Sequence, residues 1–92
     1  MDDDTAWRAA LSAWLQAHKT YPQAARRNGE EGRAVVRFTV DRDGRVLDVE
    51  LVGSSGSQSL DDAAQAMLRG AHLPPPVRQL TVTVPVRYRL EP

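Results

Sequence analysis

The chain has 92 residues, 41% hydrophobic and 26% charged, with twelve basic side chains against twelve acidic ones and no cysteine. That is enough for one globular domain with one modest core, and too little for two. Balanced charge argues against a general attraction to nucleic acid or anionic lipid, and the missing cysteines exclude disulfides and thiolate metal sites while leaving the compartment open.

No stretch approaches the roughly 20 apolar residues that span a bilayer. The opening MDDDTAW is acidic and lacks the basic region of a signal peptide. The chain therefore reads either as cytosolic or as a domain of a longer protein whose targeting segment lies elsewhere.

Residues 5–18, TAWRAALSAWLQAH, place Trp7, Ala10, Leu11, Trp14, Leu15 and His18 on one helical face. Asp2, Asp3 and Asp4 precede that face and suit the positive end of a helix. Two tryptophans on one stripe point to packing on the domain; the rival reading is a partner-binding helix. Tyr21-Pro22 ends the helix, because a residue before proline leaves the α region. Residues 22–28 predict a second short helix with Pro22 at its first position.

Residues 32–52, GRAVVRFTVDRDGRVLDVELV, spell a β-hairpin. Ala34, Val36, Phe38 and Val40 share one face of the first strand. Asp41-Arg42-Asp43-Gly44 fits a type I turn with Gly44 left-handed, giving a bulged hairpin. The second strand puts Leu47, Val49 and Leu51 on one face. The Gly53–Ser57 loop leads to a helix with Ser59 as expected cap and Asp62 three positions on. Its stripe is Leu60, Ala63, Ala64, Met67, Leu68 and Ala71, and Gly70 suits its end. Pro74, Pro75 and Pro76 predict a stiff connector. In the last strand, residues 79–90, Leu80, Val82, Val84, Val86, Tyr88 and Leu90 alternate with Thr81, Thr83, Pro85, Arg87 and Arg89.

Pro85 carries the strongest positional signal. It cannot donate to a ladder, so its strand lies at an edge or bulges there. A hairpin followed by helix and strand allows spatial order 2-1-3, with the third strand at the edge and a right-handed crossover between strands two and three. If Pro85 belongs to the outward set, then Thr81, Thr83, Arg87 and Arg89 also turn their N–H groups outward. Such an edge is an aggregation risk and a docking site for an extended peptide.

Catalytic patterns are missing. His18 and His72 have no metal spacing, and no cofactor is implied. Ser54, Ser55, Ser57 and Ser59 read as loop and cap. The pairs Asp41/Asp43 and Asp61/Asp62 read as turn and helix-start acids. Glycines 53 and 56 do not make a phosphate loop. Arg87-Tyr88-Arg89 could suggest a nucleic-acid platform, but Tyr88 falls in the apolar register.

Taken together, Tyr21-Pro22-x-x-Ala25, then Gly32-x-x-x-Val36-x-Phe38-x-Val40-x-x-Asp43-Gly44-x-Val46, the Leu60–Leu68 helix and a final V-x-V-P-V-x-Y-x-L strand resemble the C-terminal domain of TonB-like energy transducers. The resemblance covers about positions 19–90. It implies an α+β fold: a three-stranded sheet of order 2-1-3 covered by helices on one face. Here that becomes one domain over 1–92, with residues 1–19 forming an added N-terminal helix and 20–91 the α-β-β-α-β core.

The resemblance implies a non-enzymatic module in the periplasm. The full-length protein would be anchored in the inner membrane by a segment absent from this chain. Its partner would be an outer-membrane receptor for siderophore, haem or cobalamin, whose TonB box adds as a strand. Inner-membrane proton-channel partners would act through the missing N-terminal part. No nucleic acid and no small-molecule substrate is implied. Carried onto this sequence, the partner-binding residues are Lys19, Thr20, Tyr21 and Pro22, with Thr81, Val82, Thr83, Val84, Pro85, Val86, Arg87, Tyr88 and Arg89. Better-known members carry aromatics where this chain has Ala71, His72 and Leu73, and Trp7 and Trp14 are expected to cover that surface instead. Alternatives are a TolA-like envelope domain, an acylphosphatase-like enzyme, for which Asn28 is misplaced, and a homodimer formed by swapping the third strand.

Overall fold

The computed structural model describes residues 3–90. The elements are α1 (Asp3–His18), α2 (Gln23–Arg27), β1 (Gly32–Val40), β2 (Val46–Gly53), α3 (Gln58–Leu68) and β3 (Leu80–Tyr88). Asp2 lies outside the described residues, as do the side chains of Asp3 and Asp4, so the expected acidic cap falls there.

The sheet has order β2-β1-β3, and both neighbours of β1 run antiparallel to it. Alternation decides its faces. Ala34, Val36, Phe38 and Val40 of β1 and Val82, Val84, Val86 and Tyr88 of β3 are buried under the helices. Leu60, Ala64 and Leu68 of α3, Ala25 of α2, and Trp7 and Leu11 of α1 complete that core. The other face is open.

The turn forms as expected. Gly44 has φ of 87°, Asp41 N bonds Arg45 O at 2.9 Å, and Asp41 Oδ1 accepts from Asp43 N and Arg45 N, both at 2.9 Å. A Cβ on Gly44 would overlap the Leu73 carbonyl, so glycine is required for space as well as for backbone angle.

Four expectations need correction. Leu47 does not share a buried face with Val49 and Leu51: it is 55% exposed. The register jumps from Thr39↔Asp48 to Val40↔Val46, so Leu47 is a bulge residue and Val46 takes the inward place. Ser59 does not cap α3. Ser57 does, its hydroxyl accepting from Leu60 N at 3.3 Å and donating to Glu30 Oε1 at 2.6 Å. Pro22 precedes α2, with ψ of 137°, rather than opening it. In α1, Ala10 and His18 are exposed and Trp14 is half-buried, because the helix enters the core chiefly through Trp7 and Leu11.

One polar network locks the loop before α3. Asp61 accepts from Ser54 Oγ at 2.5 Å and from Ser55 N and Ser55 Oγ at 2.7 Å. Burial raises the Asp61 pKa, but these three hydrogen bonds outweigh it, and the carboxyl sits below its ordinary value.

Candidate partner-docking edge

β3 pairs with β1 in unbroken register from Gly32↔Tyr88 to Val40↔Leu80, with Val35 opposite Pro85. The second possibility for Pro85, a bulge, is therefore absent from this ladder. Proline has no N–H to exchange, so Val35–Pro85 takes the non-hydrogen-bonded position, and alternate residues turn their main-chain groups away from β1. Arg87 belongs to that outward set. Its carbonyl accepts from Lys19 Nζ at 2.5 Å, as an edge-facing oxygen would. Thr81, Thr83, Pro85 and Arg87 are exposed, while the intervening Val82, Val84, Val86 and Tyr88 place their side chains in the core.

α1 borders this edge. Leu11, Ser12 and Leu15 line a groove of about 180 Å³ with Val84 and Pro85, and Gln16 and Lys19 continue it toward Arg87. A helix beside an edge strand blunts its tendency to recruit other chains. Nothing local in the α1 sequence announces this position, because it depends on how Trp7 anchors the helix. Trp7 Nε1 donates to Pro74 O at 2.6 Å, which ties α1 to the proline connector.

The Lys19–Pro22 segment splits between two surfaces. Lys19 reaches Arg87 O and lies 5.7 Å from the Tyr88 ring centroid. Tyr21 meets Tyr88 edge-on at 5.5 Å and donates its hydroxyl to the Glu30 carbonyl. Lys19 therefore joins the β3 edge, while Tyr21 packs on the core side chain of Tyr88 beside it. Thr20 and Pro22 instead line a groove of about 400 Å³ with His18, Ala63, Ala66 and Met67. Burial raises the pKa of both tyrosines, and the Glu31 and Glu30 carboxylates add to the effect at Tyr21. Both phenols thus stay neutral at ordinary pH.

The edge offers main-chain donors and acceptors flanked by apolar and cationic side chains. Its natural chemistry is strand pairing. Among the described residues, no group of three His, Cys, Asp or Glu is placed to hold a metal ion. His18 stacks on Trp14 at 4.0 Å, and His72 pairs with Arg45 in an isolated bridge.

Residues 17–90 match the family model described as Gram-negative bacterial TonB protein C-terminal. Protein TonB of Pseudomonas putida is 40% identical over 73 residues, covering 76% of this chain and 30% of that protein. Protein TonB of Haemophilus ducreyi is 36% identical over 90 residues, covering 94% of this chain and 32% of that protein. The chain thus spans about a third of the length of these relatives. The solution structure of a Helicobacter pylori TonB C-terminal domain superposes with a TM-score of 0.80 at 27% identity, covering 94% of this chain and 82% of that one. The HasB C-terminal domain superposes at 0.60 with 39% identity, covering 94% of this chain and 71% of that one. From its sequence match, its sheet order and these neighbours, the chain belongs to the TonB C-terminal domain family, a family of interaction domains and not of enzymes.

Proposed function

We propose that this domain grips an outer-membrane receptor by adding the receptor's TonB box as a strand along β3. The outward groups of Thr81, Thr83, Pro85 and Arg87 supply the main-chain bonds, and Lys19 and Tyr21 flank them. Thr20 and Pro22 meet receptor surface beyond the box. The work takes place in the periplasm. The rest of the full-length protein anchors in the inner membrane and draws on proton-driven partners, and the grip passes their energy to uptake of siderophore, haem or other metal complexes.

The observation that carries this reading is the placement of Pro85 in an unbroken ladder at the sheet edge, with the Arg87 carbonyl bonded to a side chain instead of to a strand. Strand addition uses main-chain bonds for affinity and alternate side chains for specificity. Docking at Arg87 replaces the Lys19 donor with a partner N–H.

Cysteine cross-linking tests it. Thr83→Cys is paired with single cysteines walked along a receptor's N-terminal segment. Cross-links that recur at every second position support an added strand. Cross-links at successive positions, or none from position 83 with efficient ones from β2, contradict it.

A further inference from the structure

On the open face of the sheet, cross-strand partners match where β1 meets its neighbours. Arg37 faces Glu50 of β2, with 2.5 Å between guanidinium and carboxylate. Thr39 faces Thr81 of β3, their hydroxyls 2.8 Å apart. One pair breaks the pattern: Arg33 of β1 stands directly opposite Arg87 of β3. Both are exposed, and neither forms an ion pair among the described residues. Like charges directly opposite each other destabilise a ladder.

Nothing from β2 relieves the pair, because β1–β2 pairing stops at Val35↔Gly53, short of Arg33. Arg89 adds a third cation to the same corner, where a shallow groove of about 380 Å³ runs past Glu31, Arg33, Arg87 and Arg89. Among the described residues Glu31 is the one acid lining it, and its Oε2 accepts from Leu90 N at 2.6 Å. Among the described residues the corner therefore carries net positive charge, at the end of the strand whose outer edge has no strand partner. A rule of sheet stability is broken where the proposed docking edge begins, which is where functional compromises are expected.

Resting on the strand-addition reading, we propose that the Arg33–Arg87–Arg89 corner receives an acidic side chain of the docked segment. Placed on the open face across from Arg87, that carboxylate turns a like-charge pair into an alternating one. The recognised partner is thus an extended peptide carrying Asp or Glu at one fixed register position. The corner sets register, since a slip of one residue moves the acid to the other face.

Two measurements test this. In the free domain, Arg87→Glu should raise the melting temperature by about two to six degrees, because it opposes Arg33 with an acid. An unchanged or lower value would show that the arginines do not repel and would overturn the proposal. In the second, receptor segments differing only by Glu or Gln at each position are titrated into nitrogen-15-labelled wild type and into Arg33→Gln/Arg87→Gln. At one position, Glu should bind wild type about two- to five-fold more tightly than Gln, with the gap closing in the double variant and at high salt. Shifts along β3 with equal affinities for Glu and Gln would leave strand addition standing and remove the acidic-contact proposal. No β3 shifts with either peptide would overturn both.

Discussion

The Lys19 ammonium donates to the main-chain carbonyl of Arg87, joining the end of α1 to the side of β3 that has no strand partner. This contact defines which carbonyls of β3 face outward, and it occupies one that an added strand would use. Lys19→Met removes the donor and keeps the aliphatic stem. The expected result is a folded domain whose affinity for a receptor segment rises about two- to ten-fold, since a charge-assisted bond no longer has to be broken. Peptide titration by calorimetry reads this directly; unchanged affinity would mean that the partner bonds the edge without using Arg87.

Proline scanning separates the two sides of β3. Thr83 shares the outward register of Pro85, so Thr83→Pro should leave the fold nearly intact, at a cost of about 1 kcal/mol or less, while weakening peptide binding at least several-fold. Val84 lies in the inward set, and Val84→Pro should cost about 3 kcal/mol or more. Urea denaturation of both variants checks the order. Equal losses would show that position 83 bonds β1.

The two tryptophans of α1 differ in what holds them. Trp7 is 5% exposed and donates to Pro74 O; Trp14 is half-buried and stacks on His18. Trp7→Ala should cost about 3–5 kcal/mol and Trp14→Ala about 1 kcal/mol. This assigns the large loss to Trp7, although the helical stripe alone made the two residues equivalent. Comparable losses measured by denaturant unfolding would contradict the burial pattern.

Asp61 makes a contribution to stability that depends on pH in the acid range. Its pKa is lowered in the folded state, so the folded chain holds the carboxylate more readily than the unfolded one. Its contribution is therefore present above the unfolded value near 4 and is lost as pH falls through the lower folded value. Asp41 adds a contribution of the same sign, its pKa lowered chiefly by the N–H of Arg45. Asp61→Asn should lose about 1–3 kcal/mol at pH 7 and show a flatter decline in acid. A pH series of melting temperatures for both proteins decides it.

Much of the fold was legible because a period of two marks a half-buried strand in any context. The hairpin, the edge and the turn at Gly44 all follow from local chemistry. The bulge at Leu47 was not legible, since an inserted residue is defined only by its register against β1. Any serine of the GSSGSQS stretch could cap α3; Asp61 turning back onto Ser54 and Ser55 decides for Ser57. The site was legible in part. Pro85 announced the edge, but the opposition of Arg33 and Arg87 exists only through strand pairing 54 positions apart in sequence, and no motif encodes it.

The most direct test of the central claim is a nitrogen-15 amide titration of this domain with peptides copied from receptor TonB boxes. Strand addition at β3 should give shifts concentrated at Thr81, Thr83 and Arg87, with smaller ones at Lys19 and Tyr21, and little change on β2. Shifts along β2, or shifts confined to the groove between Pro22 and Met67 with a silent β3, would contradict it.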